Sequence, residues 1–183
     1  MNQPKRIAVF GTESTGKTML TQRLATHYHE PWSAEYVREF WEQQGGRITA
    51  ADLAAIARGQ IANEEAAAAR ARRVMFADTE LITCTLWNDV LFPGACPEWV
   101  RQAASERASG YALYLLCDAD VAFAPDPQRC FPAAAAREEA RQLWRDALVK
   151  RRIPFVEIQG DWTERERTAI AAVDRVLAGD GRR

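Results

Sequence analysis

Residues Gly11-Thr12-Glu13-Ser14-Thr15-Gly16-Lys17-Thr18 carry the spacing Gly-x4-Gly-Lys-Thr, which is chemistry for holding phosphate. Gly11 and Gly16 let the backbone turn sharply, so that the N–H groups of Glu13, Ser14, Thr15 and Gly16 converge on an anion. Lys17 brings a mobile cation to the β- and γ-phosphates, and the Thr18 hydroxyl can ligate Mg²⁺. The flanks fit. Lys5-Arg6-Ile7-Ala8-Val9-Phe10 reads as a buried strand, and Met19 to Ala25 has helical spacing without a breaker. A helix opening at Gly16 adds its positive dipole end to the same anion site. The implied ligands are ATP and Mg²⁺.

Further along the chain, other residues could complete a reaction. Asp78 ends an apolar run, where a carboxylate either holds Mg²⁺ with Thr18 or caps the next helix. Glu80 places a second carboxylate beside it, for substrate or for the first helical turn. Glu35-Tyr36-x-Arg38-Glu39 follows a short strand-like stretch. A carboxylate there can take the proton of an acceptor hydroxyl and an arginine can bind phosphate, or the segment is an ordinary charged helix start. Asp126-x-x-Arg129 lies in a proline-rich loop that reads as a lid carrying a cation over the γ-phosphate, or as a surface connection. Of the six tryptophans, Trp87 and Trp162 fall nearest the expected site, and the others suit core packing.

The elements that must position these groups follow from periodicity and punctuation. Helices are expected over residues 16–28, Tyr36 to Gln43, a capping box at Thr49-Ala-Ala-Asp52 through about Arg72, Thr79 to Leu91, a short one from Pro97, Ala133 to Lys150, and a last one ending near Leu177. That last helix is expected to open on the capping box Thr163 to Glu166. Strands are expected at Trp32 to Glu35, Val74 to Ala77 ending on Asp78, Tyr111 to Cys117, and Ile153 to Ile158. Prolines 125, 127 and 132 mark the lid, and Gly160-Asp161-Trp162 marks a turn. Alternation of strand and helix demands an α/β fold: a five-stranded parallel sheet with helices on both faces. Ligands of such sheets sit at the carboxyl ends of the strands, where the phosphate loop, Glu35, Asp78, Asp118, Asp120 and Trp162 all fall.

Composition narrows the function classes. The chain has 183 residues, 48% hydrophobic and 27% charged, and fits one domain, 1–183, with a lid segment around 123–135. A formal net charge of −1 offers no basic bias toward nucleic acid or an anionic membrane. Apolar runs fall short of the ~20 residues a membrane helix needs, and the first strand begins too early for a signal peptide. Four cysteines without a CxxC pair suit neither a disulfide scaffold nor zinc, and His27 and His29 face different sides of a helix. A cytoplasmic protein acting on a small molecule is expected, with room for homo-oligomerisation.

The chain resembles the kinase domain of bacterial ribosylnicotinamide (nicotinamide riboside) kinases. The stretches that carry the resemblance are Gly11 to Thr18, Glu35-Tyr-Val-Arg-Glu-Phe40, Phe76-Ala-Asp-Thr-Glu80 with Leu81-Ile-Thr83, Trp87, the Phe123 to Arg129 loop, and Ile153 to Ile158. They occur in the family's order over nearly the whole chain. The resemblance implies a P-loop kinase fold and ATP-dependent phosphorylation of a nucleoside 5′-hydroxyl, giving nicotinamide mononucleotide. It implies that the chain carries the kinase part alone, without the family's fused adenylyltransferase or helix-turn-helix repressor. It implies ATP at Gly11, Glu13–Thr18 and Trp162, and acceptor at Glu35, Tyr36, Arg38, Glu80, Trp87, Phe123 and Asp126. The chain departs from the pattern in the lid, where the family usually reads Trp-Val-x-Asp-Gly-x-Arg and Phe123 keeps an aromatic while Pro127 replaces the glycine, and at Glu80, where the strand-end triplet usually ends in Asp.

The expected catalytic set is Lys17, Glu35, Arg38, Asp78 and Arg129, with either Glu35 or Asp78 orienting the acceptor hydroxyl and Thr18 and Asp78 on the metal. Another nucleoside or a vitamin alcohol is the alternative acceptor. A regulatory GTPase would need Asn-Lys-x-Asp, which is absent, and a glycine after Asp78-Thr-Glu that Leu81 does not supply. A non-kinase regulatory or assembly ATPase is the remaining rival.

Overall fold

A computed structural model describes residues 3–123, 125–131 and 133–179. Met1 and Asn2 of the expected N-terminus lie outside these residues, as do positions 124 and 132 of the expected lid, Pro132 among them. Five parallel strands, β1 (Lys5–Phe10), β2 (Trp32–Ser33), β3 (Val74–Asp78), β4 (Tyr111–Cys117) and β5 (Phe155–Ile158), pair in the order β2-β3-β1-β4-β5. Seven helices connect or follow them among the described residues: α1 (Lys17–Tyr28), α2 (Tyr36–Gln43), α3 (Leu53–Arg70), α4 (Leu81–Leu91), α5 (Glu98–Ala108), α6 (Ala134–Lys150) and α7 (Trp162–Leu177).

The two-residue period of a strand explains the unbroken apolar runs. In β1, Ile7 and Val9 pack on the α1/α7 face, while Ala8 and Phe10 pack on the other face. In β3, Val74 and Phe76 join the first layer and Met75 and Ala77 the second. In β4, Leu113, Leu115 and Cys117 alternate with Tyr114 and Leu116 in the same way. Both faces are covered, so neither can be polar. Register then fixes the site: β1 lies between β3 and β4 with Val9 opposite Asp78 and Leu115. The phosphate loop leaving β1 therefore emerges beside the strand-end Asp78.

Several boundaries differ from expectation for identifiable reasons. β2 stops at Ser33, since only Trp32 and Ser33 pair with Phe76 and Ala77, and Glu35 becomes the residue that opens α2. α3 stops at Arg70 because the buried Glu30 carboxylate takes the backbone N–H groups of Arg72 and Arg73. α5, the helix expected from Pro97, runs eleven residues with Val100 and Ala104 fully buried. β5 starts at Phe155, after Pro154, which has no N–H for a ladder. α7 opens two residues early. Its capping box is Asp161 with Glu164, not Thr163 with Glu166, because the Asp161 carboxylate accepts the Glu164 N–H at 2.9 Å. The box expected at Thr49 and Asp52 is present and opens a 3₁₀ turn that leads into α3.

Candidate active site

The phosphate loop is shaped by the residues packed behind it. Gly11 has φ +145° and Gly16 φ +79°, and a Cβ at Gly16 would lie 2.6 Å from the Trp162 ring. Lys17 is buried at the first turn of α1, with Nζ donating to the Thr12 carbonyl at 2.7 Å. The Thr15 hydroxyl donates to the same carbonyl at 2.9 Å. Trp162 lies behind the loop with the guanidinium of Arg23 5.3 Å from its ring centroid. The ring packs against the α1/α7 core layer and meets Gly16 and two arginines.

Asp78 and Thr18 meet beside the phosphate loop. The Thr18 hydroxyl donates to Asp78 Oδ2 at 2.5 Å, while Asp78 Oδ1 is buried without a hydrogen-bond partner. Burial and the nearby Glu35 charge push the Asp78 carboxyl up to about 6, against the opposing pull of Lys17, Thr18 and Arg38. A strand-end carboxylate with one orphaned oxygen beside a hydroxyl fits a hard divalent cation such as Mg²⁺. The role of cap to α4 belongs instead to Glu80, which accepts the Ile82 N–H at 2.9 and 3.0 Å.

Next to the loop lies a cleft of about 380 Å³. Lys17 and Thr79 reach it from the sheet rim, Glu35, Val37, Arg38 and Trp41 from α2, Ile56 and Gln60 from α3, Thr83, Trp87 and Asn88 from α4, and Gln128 and Arg129 from the loop before α6. Arg38 is shared, donating to Glu35 at 3.3 Å and to Asp126 at 3.2 Å. Arg129 presents Nε and Nη1 buried and without partners. The hydroxyls of Thr79 and Thr83 are likewise buried and unpartnered. Thr79 holds φ +69°, a strained conformation for a β-branched residue, where the chain turns from Asp78 to the Glu80 cap.

The structure thus gathers Glu13, Lys17, Glu35, Arg38, Trp87 and Arg129 around one cleft with Asp78 at its edge, and gives several expected residues other partners. Glu80 is fully buried; burial pushes its carboxyl up to about 8, and it serves α4 rather than substrate. The Tyr36 ring lies against Gly59 of α3, outside the cleft lining. Phe123 lies under the guanidinium groups of Arg129 and Arg137, at 5.6 and 5.4 Å from its ring centroid, so its face is taken by cations. Asp126 braces the loop by accepting the Gln128 N–H and pairing with Arg38. The Glu13 side chain turns to the backbone of Cys130 and Phe131, not to the nest of the phosphate loop.

Other residues of the site carry no sequence signal of their own. Phe131 stacks on Trp87 with centroids 5.4 Å apart and planes 16° apart. Gln60 accepts the Tyr36 N–H at 2.9 Å and donates to Glu64, tying α2 to α3 beside the cleft. Arg165 is fully buried, donating to the carbonyls of Gly160, Thr15 and Asp118 and pairing with Asp120.

With the loop and cleft defined, comparison with known proteins gives a family. A model described as an AAA domain matches residues 6–165. The chain belongs to that family. This AAA domain is 25% identical over 159 residues to the trifunctional NAD biosynthesis/regulator protein NadR of Escherichia coli (strain K12), covering 85% of the chain and 38% of that protein. Among solved structures it is similar to a NadR protein in complex with NR, with a TM-score of 0.77 and 23% identity over 96% of the chain and 52% of the other. A deoxyadenosine kinase from M. mycoides with bound dATP shares the fold at TM-score 0.62 and 11% identity, over 93% of this chain and 99% of that kinase. The chain therefore spans well under two thirds of the NadR proteins it matches.

Proposed function

We propose that this chain is a P-loop kinase transferring the γ-phosphoryl group of ATP to an alcohol, with the 5′-hydroxyl of nicotinamide riboside as acceptor and nicotinamide mononucleotide as product. The observation that carries the reading is Arg129: a cation with two buried, unpartnered N–H groups, held in a nucleoside-sized cleft beside Lys17 and the phosphate loop. The relatives agree in kind, since one is named for NAD biosynthesis and another was solved with NR.

The roles follow from position. Lys17 and the loop amides hold the triphosphate. Thr18 and Asp78 would hold Mg²⁺, which when bound would supply positive charge to offset that of the triphosphate. Glu35 lies on the acceptor side, on the helix that walls the cleft, whereas Asp78 is engaged by Thr18. Glu35 is therefore the carboxylate that orients the acceptor hydroxyl, its own charge balanced by Arg38. Arg38 and Arg129 offset negative charge on the group in transfer. Trp87, backed by Phe131, offers an aromatic wall to a base. The chain acts as a single cytoplasmic domain, with the loop around 123–135 as its lid.

A panel of nucleosides and vitamin alcohols with ATP and Mg²⁺, read by ADP release and product mass, tests the reading. Nicotinamide mononucleotide is the expected product. Efficient turnover of a different alcohol would keep the kinase and replace the substrate. ATP hydrolysis indifferent to every alcohol would establish the rival ATPase.

A further inference from the structure

Glu13 occupies the third position of the phosphate loop and is 8% exposed. Its two carboxylate oxygens accept the backbone N–H groups of Cys130 and Phe131, at 2.8 and 2.5 Å. These amides lie 117 and 118 residues further along the chain, so the contact is tertiary and joins two loops that share no secondary structure. Bonds from neutral amides to an ionised carboxylate are about twice as strong as neutral ones. The loop has a second anchor. Asp126 pairs with Arg38 of α2, and the Arg129 N–H closes a turn onto the Asp126 carbonyl at 3.0 Å. Arg129 thus stands between a tether to the phosphate loop and a tether to the acceptor wall. Immediately beyond it, Phe131 packs against Trp87.

We propose that Glu13 is a positioning residue: its carboxylate latches the loop 126–131 onto the phosphate loop and so sets Arg129 and Phe131 over the cleft. The consequence for turnover rests on the kinase reading above; the latch itself does not. Fixing the backbone at Cys130 fixes the Cα from which Arg129 projects. Without the latch, Arg129 must be ordered at the moment of reaction, an entropy cost borne in the transition state. Both Glu13 oxygens are engaged by the Cys130 and Phe131 amides, so the side chain acts on the nucleotide through the loop that it holds.

The test uses Glu13→Ala, Glu13→Gln, Arg129→Ala and the double variant Glu13→Ala/Arg129→Ala, each checked for a cooperative melt. Amide hydrogen exchange at Cys130 and Phe131 reads the latch without any substrate. Exchange there should rise about tenfold or more in Glu13→Ala. Glu13→Gln, with one acceptor oxygen left, should fall between and serves if the alanine variant does not fold. In turnover, Glu13→Ala should lower kcat about tenfold with KM for ATP held within about threefold. The double variant should be no slower than Arg129→Ala, within about twofold, because both changes remove one device. Unchanged exchange at both amides would overturn the latch. So would multiplied losses in the double variant, or a rise in ATP KM as large as the kcat loss. Faster exchange in a protein that phosphorylates no alcohol would keep the latch and remove the kinase reading.

Discussion

Asp78 shows how one side chain can be read in two ways until its neighbours are known. A carboxylate at a strand end either caps a helix or holds a metal. Here Glu80 has taken the capping bonds, leaving Asp78 with Thr18 on one oxygen and nothing on the other. A metal ligand must be ionised, and a proton competes for the same oxygen. Burial and Glu35 raise the Asp78 carboxyl to about 6, so the protonated form gains as pH falls through that value. The apparent affinity for Mg²⁺ should therefore weaken below about pH 6, up to about tenfold for each further unit. Asp78→Asn should lose about a hundredfold or more in Mg²⁺-dependent turnover and lose this pH response of Mg²⁺ affinity. Mg²⁺ titrations of turnover between pH 5 and 8 measure both effects. A variant with normal turnover at low Mg²⁺ would leave Asp78 with no metal to hold. Such strand-end acids were legible because a buried apolar run points to its own end. Glu80 stayed between substrate and the first helical turn in the sequence because capping depends on where a helix starts, and Thr79 turns the chain there with a backbone conformation no residue type announces.

Elements were legible where burial dictates composition. β1 and β4 match the expected strands residue for residue, since the buried runs Ile7–Phe10 and Leu113–Cys117, covered on both faces, have no polar position to blur them. The contact of α2 with α3 was not legible, because it depends on a glycine with an ordinary helical role. Gly59 lies inside α3, and a Cβ there would fall 2.0 to 2.3 Å from ring atoms of Tyr36. Replacing an interior helical glycine by alanine ordinarily stabilises by about 0.5–1 kcal/mol. At this position the ring must leave its seat, and overpacking of that kind costs about 1–3 kcal/mol. Gly59→Ala should thus destabilise the fold. It should also raise the acceptor KM more than the ATP KM, because Glu35 and Arg38 flank Tyr36 on the cleft wall. Urea melts and initial rates decide it. A more stable variant with unchanged kinetics would mean that Tyr36 moves aside freely and has no part in placing α2.

At the scale of the molecule, the site is the rim where three central strands end, and the fold has to keep those ends in register. The parallel sheet and the collection of acids at its rim follow from alternating β and α segments, while the strand order β2-β3-β1-β4-β5 is seen only in the fold. The fastening of the rim does not follow from them either, because it depends on residues far apart in sequence. Arg165 illustrates this. Within the sequence Thr-Glu-Arg-Glu it reads as one more charged residue of a helix start. Folded, its fully buried guanidinium joins the Thr15 carbonyl of the phosphate loop, the Asp118 carbonyl and Asp120 carboxylate after β4, and the Gly160 carbonyl before α7. Asp120 in turn accepts the Gly160 N–H at 2.6 Å. Removing the cation would leave three carbonyls short of a donor, at about 1–3 kcal/mol for a buried group left unsatisfied, whereas the exposed Asp120 carboxylate can turn to water. Arg165→Met should lower stability on that scale. Arg165→Lys keeps the charge but not the fork of donors, and should fold with a smaller loss. The lysine variant separates two roles. If Arg165 shapes the phosphate loop through Thr15, a fixed ATP concentration should raise the melting temperature of Arg165→Lys less than that of the wild type, since ligand stabilisation tracks affinity for the native state. Equal ATP-induced shifts in both proteins would confine Arg165 to fastening β4 to α7, and the phosphate loop would owe its shape to its own glycines and Trp162 alone.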